Sequence, residues 1–147
     1  MVAAAEVQDT RPRAERMTLI LPFPPSVNAL YPTIVTRDGR VLRTKSRAGR
    51  QFEQAVLNIA QLWLNHHGVR PPAPPYRLTL ELFPPMDGKK HDLTNCFKAP
   101  EDAVMAAIGG DDVDVLRASA VKRPEDGHPR CVLVLETLRE DEHATDR

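Results

Sequence analysis

From Tyr76 to Phe83 apolar and polar residues alternate without a break, with Leu78, Leu80 and Leu82 on one side and Arg77, Thr79 and Glu81 on the other. A period of two marks a strand with one buried face and one wet face. That leucine face must be covered, and two segments offer apolar stripes at helical spacing. The first holds Phe52, Ala55, Val56, Ile59, Leu62 and Trp63, and Trp63 reads as core rather than as a stacking platform. The second holds Leu93, Cys96, Phe97, Pro100, Ala103, Val104, Ala107 and Ile108. The expected class is therefore α+β, of the mixed α/β kind: a small mixed sheet of about four to six strands on two main helices. The 147 residues suffice for one domain with one core.

The remaining elements follow from punctuation. Met17–Phe23 reads as a first strand, ended by Pro22, Pro24 and Pro25. Asp38-Gly39 between Thr33–Thr36 and Val41–Thr44 predicts a hairpin. Lys45 or Ser46 opens a helix that runs to about His67 and closes at Gly68. The run Arg70–Pro75 is a stiff connector within the domain. Pro100 would cost about 3 kcal/mol inside a helix, so regular helix is expected to start just before it. Gly109-Gly110 stops that helix. Val113–Lys122 reads as the next strand, and Cys131–Glu136, apolar throughout, as a central one. Residues 17–139 form the domain, between an expected disordered tail at 1–16 and a charged tail at 140–147.

Formal charge is zero over the chain, yet residues 17–139 carry sixteen Lys and Arg against thirteen Asp and Glu, a net of +3. From Arg37 to Arg50 there are six basic residues and one acid. Arg40, Arg43, Lys45, Arg47 and Arg50 there, with Lys89 and Lys90 further on, are either solvated surface or a phosphate-contacting set. Asn28, after the proline corner, is a turn former or an amide within reach of a site. No run approaches the roughly 20 apolar residues of a membrane span. With no apolar leader and two cysteines far apart, Cys96 and Cys131, a cytoplasmic protein is expected.

The chemistry concentrates in Asp92-Leu93-Thr94-Asn95-Cys96-Phe97-Lys98-Ala99-Pro100-Glu101-Asp102 and in Asp111-Asp112-Val113-Asp114. Clustered carboxylates repel unless a cation neutralises them, and Mg²⁺ prefers oxygen ligands. Asp92 and Asp112 can hold such an ion, with Asp111 and Asp114 next in line. Asp114 lies two residues from Asp112 and would share its direction in a strand. Asp92, Asn95, Lys98 and Asp102 share one helical face, from which Lys98 can reach a phosphate. Phosphodiester hydrolysis needs this combination of a polarising cation, fixed acids and a positive group. The bland alternative is a solvated acidic surface.

These segments resemble the RusA family of Holliday-junction resolvases, the crossover junction endodeoxyribonucleases of lambdoid phages and bacteria. The likeness rests on Leu21-Pro22-Phe23-Pro24-Pro25-Ser26-Val27-Asn28-Ala29-Leu30-Tyr31, on the segment from Asp92 to Ala103, and on Asp111-Asp112, over roughly residues 17–138. It implies a RusA-like fold, an intertwined homodimer, branched four-way DNA as partner, and Mg²⁺ as cofactor with Mn²⁺ able to substitute. The function it implies is paired strand incision at junctions in recombination and repair. Residue by residue, Asp92 resembles the first metal-binding aspartate, Asp112 the last, and Lys98 the catalytic lysine. Asn95 and Asp102 match supporting positions, and Asn28 matches the asparagine of the N-terminal signature.

One position departs. The family motif runs Asp-x-Asp-Asn, and Thr94 stands where its second aspartate, a metal ligand, belongs. A neutral hydroxyl is a poorer Mg²⁺ ligand than a carboxylate. Asp114 or His91 would have to compensate; otherwise the chain is a weak nuclease, or a junction binder that does not cut. A small α/β protein that binds a metal or a protein, with no role on DNA, is the remaining reading.

Overall fold

A computed structural model describes residues 9–30 and 33–139. The elements are β1 (Arg16–Leu21), a one-turn helix α1 (Val27–Leu30), β2 (Thr33–Val35), β3 (Val41–Arg43), α2 (Arg47–His67), β4 (Tyr76–Phe83), α3 (Lys98–Ile108), β5 (Val115–Lys122) and β6 (Arg130–Thr137). Short 3₁₀ turns at Thr94–Cys96 and Asp112–Asp114 lead into α3 and β5. No described helix is long and apolar enough to cross a membrane.

Four strands form a mixed sheet in the order β1-β6-β4-β5. The first three pair antiparallel, while β4 and β5 run parallel, joined by the crossover that contains α3. Leu80 of β4 faces Leu133 of β6, which in turn faces Leu19 of β1. Leu78, Leu135 and Met17 make the next such row. All six side chains are essentially sealed from water. They meet Phe52, Val56, Ala60 and Leu64 from α2, and Ala99, Ala103 and Val104 from α3. Each aliphatic side chain buried this way contributes about 1.5–3 kcal/mol. The α+β class, the mixed sheet and the two main helices therefore agree with the sequence reading. The expected hairpin at Asp38-Gly39 forms as a separate two-stranded sheet, β2 with β3.

Helix α2 begins and ends where its signals stand. The Ser46 hydroxyl accepts from the Gly49 amide at 2.9 Å, and Gly68 closes the helix. Its buried stripe differs by one step from the expected one, because Leu62 points to solvent at 69% exposure while Ala60 and Leu64 face the sheet. Trp63 is partly buried against the core and stacks on His67 with ring centroids 4.0 Å apart.

Two further expectations need correction. Residues 9–15 are not a free tail. The Ala14 amide donates to the Arg70 carbonyl at 2.9 Å, the Arg70 amide donates to the Pro12 carbonyl at 2.8 Å, and Ala14 is buried. Polar spacing hid this, because the contacts use backbone groups. The expected strand at Val113 starts instead at Val115, since Asp111 caps a turn there. The remainder of the expected tails, 1–8 and 140–147, lies outside the described residues.

Candidate functional site

Lys98 is the first residue of α3, and Glu101 and Asp102 lie one turn further along the same helix. Spacings of three and four place both carboxylates beside the amine. The Lys98 Nζ lies 3.0 Å from Asp102 Oδ1 and 3.7 Å from Asp112 Oδ2. The Asp102 hydrogen bond holds the Lys98 amine above the usual lysine range, against a smaller opposing effect of partial burial. Glu101 is pushed up from the usual carboxylate range, first by burial, with the charges of Asp102 and Asp112 adding and that of Lys98 opposing.

Asp112 reaches this helix because of how α3 ends. Gly109 has φ of 68°, a left-handed turn that closes the helix. Gly110 passes so near the Tyr76 hydroxyl and the Met105 sulfur that a Cβ would sit 3.3 and 3.1 Å from them. Asp111 then caps the following turn, its Oδ1 accepting from the Val113 amide at 3.1 Å. The result brings one carboxylate oxygen each of Glu101, Asp102 and Asp112 within 4.8 Å of one another. An all-oxygen, partly exposed donor set of this kind suits a hard divalent cation. The pull of these three acids falls on Lys98, the cation at the same place.

Of the other sequence candidates, Asp92 stands outside this trio. Its Oδ1 accepts from the Thr94 amide at 3.2 Å and from the Thr94 hydroxyl at 3.0 Å. Asp111 is engaged in capping. Asp114 acts on Tyr76, where burial first and then the Asp114 charge push the phenol up. The expectation that Asp112 and Asp114 point the same way fails, because 112–114 is a 3₁₀ turn and residues two apart there do not share a face. His91 does not join the trio either: its Nε2 lies 3.1 Å from Asp87 Oδ1, and its ring meets Phe23 edge-on at 5.1 Å. Asn95 is exposed in the turn before Lys98.

The N-terminal signature comes to the same region, since α1 packs against the Thr94–Cys96 turn and against α3. The side chains of Asn28 and Arg43 lie outside what the structure describes. Lys45 pairs with Glu53, and both line a small crevice with Ala99 and Asp102, so the basic arm meets the acidic cluster there. Arg50 donates to the Lys45 carbonyl at 3.2 Å. Arg40 pairs with Asp38 at 3.0 Å and stays largely exposed, as does Arg47. Lys89 and Lys90 are exposed beside Asp92.

No protein-family model matches the chain, and no curated protein matches it.

Three residues of interest escaped the sequence reading. Glu101 was legible, three positions from Lys98 on the face that carries the chemistry. Lys122 and Arg123 carried no local signal. Only the parallel pairing of β4 and β5 brings their strand end to the loop after β4.

Proposed function

We propose that this chain is a divalent-metal-dependent, structure-selective endonuclease that incises four-way DNA junctions, in the manner of the RusA family it resembles. The observation that carries the reading is the Lys98 amine set between Asp102 and Asp112, with Glu101 completing a carboxylate trio. Glu101, Asp102 and Asp112 would hold Mg²⁺ or Mn²⁺. When bound, such an ion supplies Lewis-acid polarisation of the scissile phosphate. Lys98, held 3.0 Å from Asp102, would offset negative charge growing on the reacting phosphate. Asp102 also aims that amine, and Asp111 holds the turn that presents Asp112. The cytoplasm, where recombination and repair of bacterial or phage DNA occur, is the proposed location.

A second reading has its own observation. Thr94, which replaces an aspartate of the family motif, donates its hydroxyl to Asp92 and so occupies one of that residue's oxygens. The chain would then bind junctions and cut them poorly or not at all. Wild type and Thr94→Asp, compared on a mobile four-way junction in Mg²⁺, Mn²⁺ and EDTA, separate the two. A nuclease gives paired nicks with either metal and none in EDTA, and a faster Thr94→Asp would add the Asp92 segment to the metal site. A pure binder shifts the junction in EDTA, and neither protein cuts. Absence of both cleavage and salt-sensitive binding would end the DNA reading and favour a metal- or protein-binding role.

The proposal includes a homodimer, whose two-fold axis would match that of the junction and place one site on each cut strand. Its support is the apolar surface left on the hairpin, where Ile34, Val35, Val41 and Leu42 are each 45–69% exposed. Light scattering should return twice the 16.4 kDa chain mass; a monomer at micromolar concentration would remove this part.

A further inference from the structure

Two segments distant in the chain meet at one end of the sheet. The loop after β4 contributes Lys89, Lys90 and Asp92, and the end of β5 contributes Lys122 and Arg123. They line an open groove of about 770 Å³. Its walls carry four Lys and Arg side chains against two acids, Asp92 and Glu125. The two walls are tied together, because Lys122 Nζ donates to the His91 carbonyl at 3.1 Å. That bond uses one of three ammonium protons and leaves two for a ligand. Arg123 Nε donates to Glu81 Oε2 at 3.0 Å, and the side chain remains 48% exposed. A guanidinium has five N–H donors, so Glu81 aims Arg123 without exhausting it. From Asp92 the chain runs through the Thr94–Cys96 turn straight to Lys98, so groove and carboxylate trio are neighbours along one backbone segment.

We infer that this groove seats the sugar–phosphate backbone of the bound DNA, with Lys122 and Arg123 as phosphate contacts alongside Lys89 and Lys90. The inference rests on the DNA-binding reading above. An open trough that gathers four cations from two chain segments suits a polyanion whose charges recur along its length, and suits a compact ligand that must be enclosed less well. The contacts would set the position of the strand without reading its bases.

The test is fluorescence anisotropy of a labelled four-way junction with the full chain in EDTA, between about 50 and 200 mM salt. Each lost phosphate contact lowers the slope of log affinity against log salt by about 0.9. Lys122→Gln with Arg123→Gln should therefore flatten the slope by about 1–2, and Lys122→Arg should keep the wild-type slope. If the double variant does not fold, the two single variants carry the test at about 1 each. A double variant that folds and binds with the wild-type slope and affinity overturns the inference alone. A wild type with no salt-dependent affinity overturns it together with the DNA reading.

Discussion

Replacing Asp112 with asparagine is expected to lower junction cleavage by about 100-fold or more while leaving the fold intact. Asp112 is the one member of the carboxylate trio that α3 does not carry, and its side chain is 52% exposed. Its 3.7 Å approach to Lys98 is an exposed pair, of a kind that adds between about 0 and 1 kcal/mol to stability. The turn that holds it is capped by Asp111, so the amide substitution removes a charge without removing the cap. The thermal midpoint should then move by no more than about 2–4 °C. Asparagine keeps the size and one oxygen but loses the anionic charge, which tests the role of charge rather than of shape. Wild-type cleavage by this variant would dismiss the trio as the reacting centre. A matching loss of cleavage and of folding stability would instead make Asp112 structural.

The second large effect lies in the core. Leu80→Ala should cost about 2–5 kcal/mol, a considerable part of the roughly 5–15 kcal/mol typical of a domain. Leu80 is fully sealed, faces Leu133 across the strand pair, and lies in the cluster that α2 and α3 cover. Truncation there loses burial and leaves a cavity that the sheet backbone cannot close. Its neighbour Thr79 points to the half-exposed face of the sheet, so Thr79→Ala should change stability by about 0.5 kcal/mol or less. Urea unfolding of both variants checks the contrast. Equal losses would mean that the alternation along β4 does not divide a core face from a wet one.

Where local chemistry suffices, the elements stand where their residues place them. Ser46 supplies a hydroxyl to an orphan amide and Gly68 accepts a left-handed turn, so α2 could be bounded from its own ends. The leucines of β4 identify their face because successive strand side chains must point in opposite directions. Pro100 sits in the first turn of α3, where its missing N–H costs nothing. The exit of α3 was equally legible from Gly109-Gly110. The start of β5 was not, because the Asp111 side chain competes for the amide of Val113 and delays the strand by two residues. The stripe of α2 was blurred at Leu62, whose apolar character does not reveal which side of the helix the sheet lies on.

The candidate site divides the same way. Lys98, Glu101 and Asp102 are brought together by helical period alone, which any reader of the chain can count. That Asp112 joins them, that Asp92 turns to Thr94, and that Lys122 reaches back to His91 depend on where β5 and the loops come to rest. Short-range spacing encodes backbone conformation because the groups that satisfy each N–H and C=O are a few residues away. Contacts across tens of residues are set by which apolar faces seal one another, and many registers satisfy a hydrophobic pattern equally until the whole core is assembled.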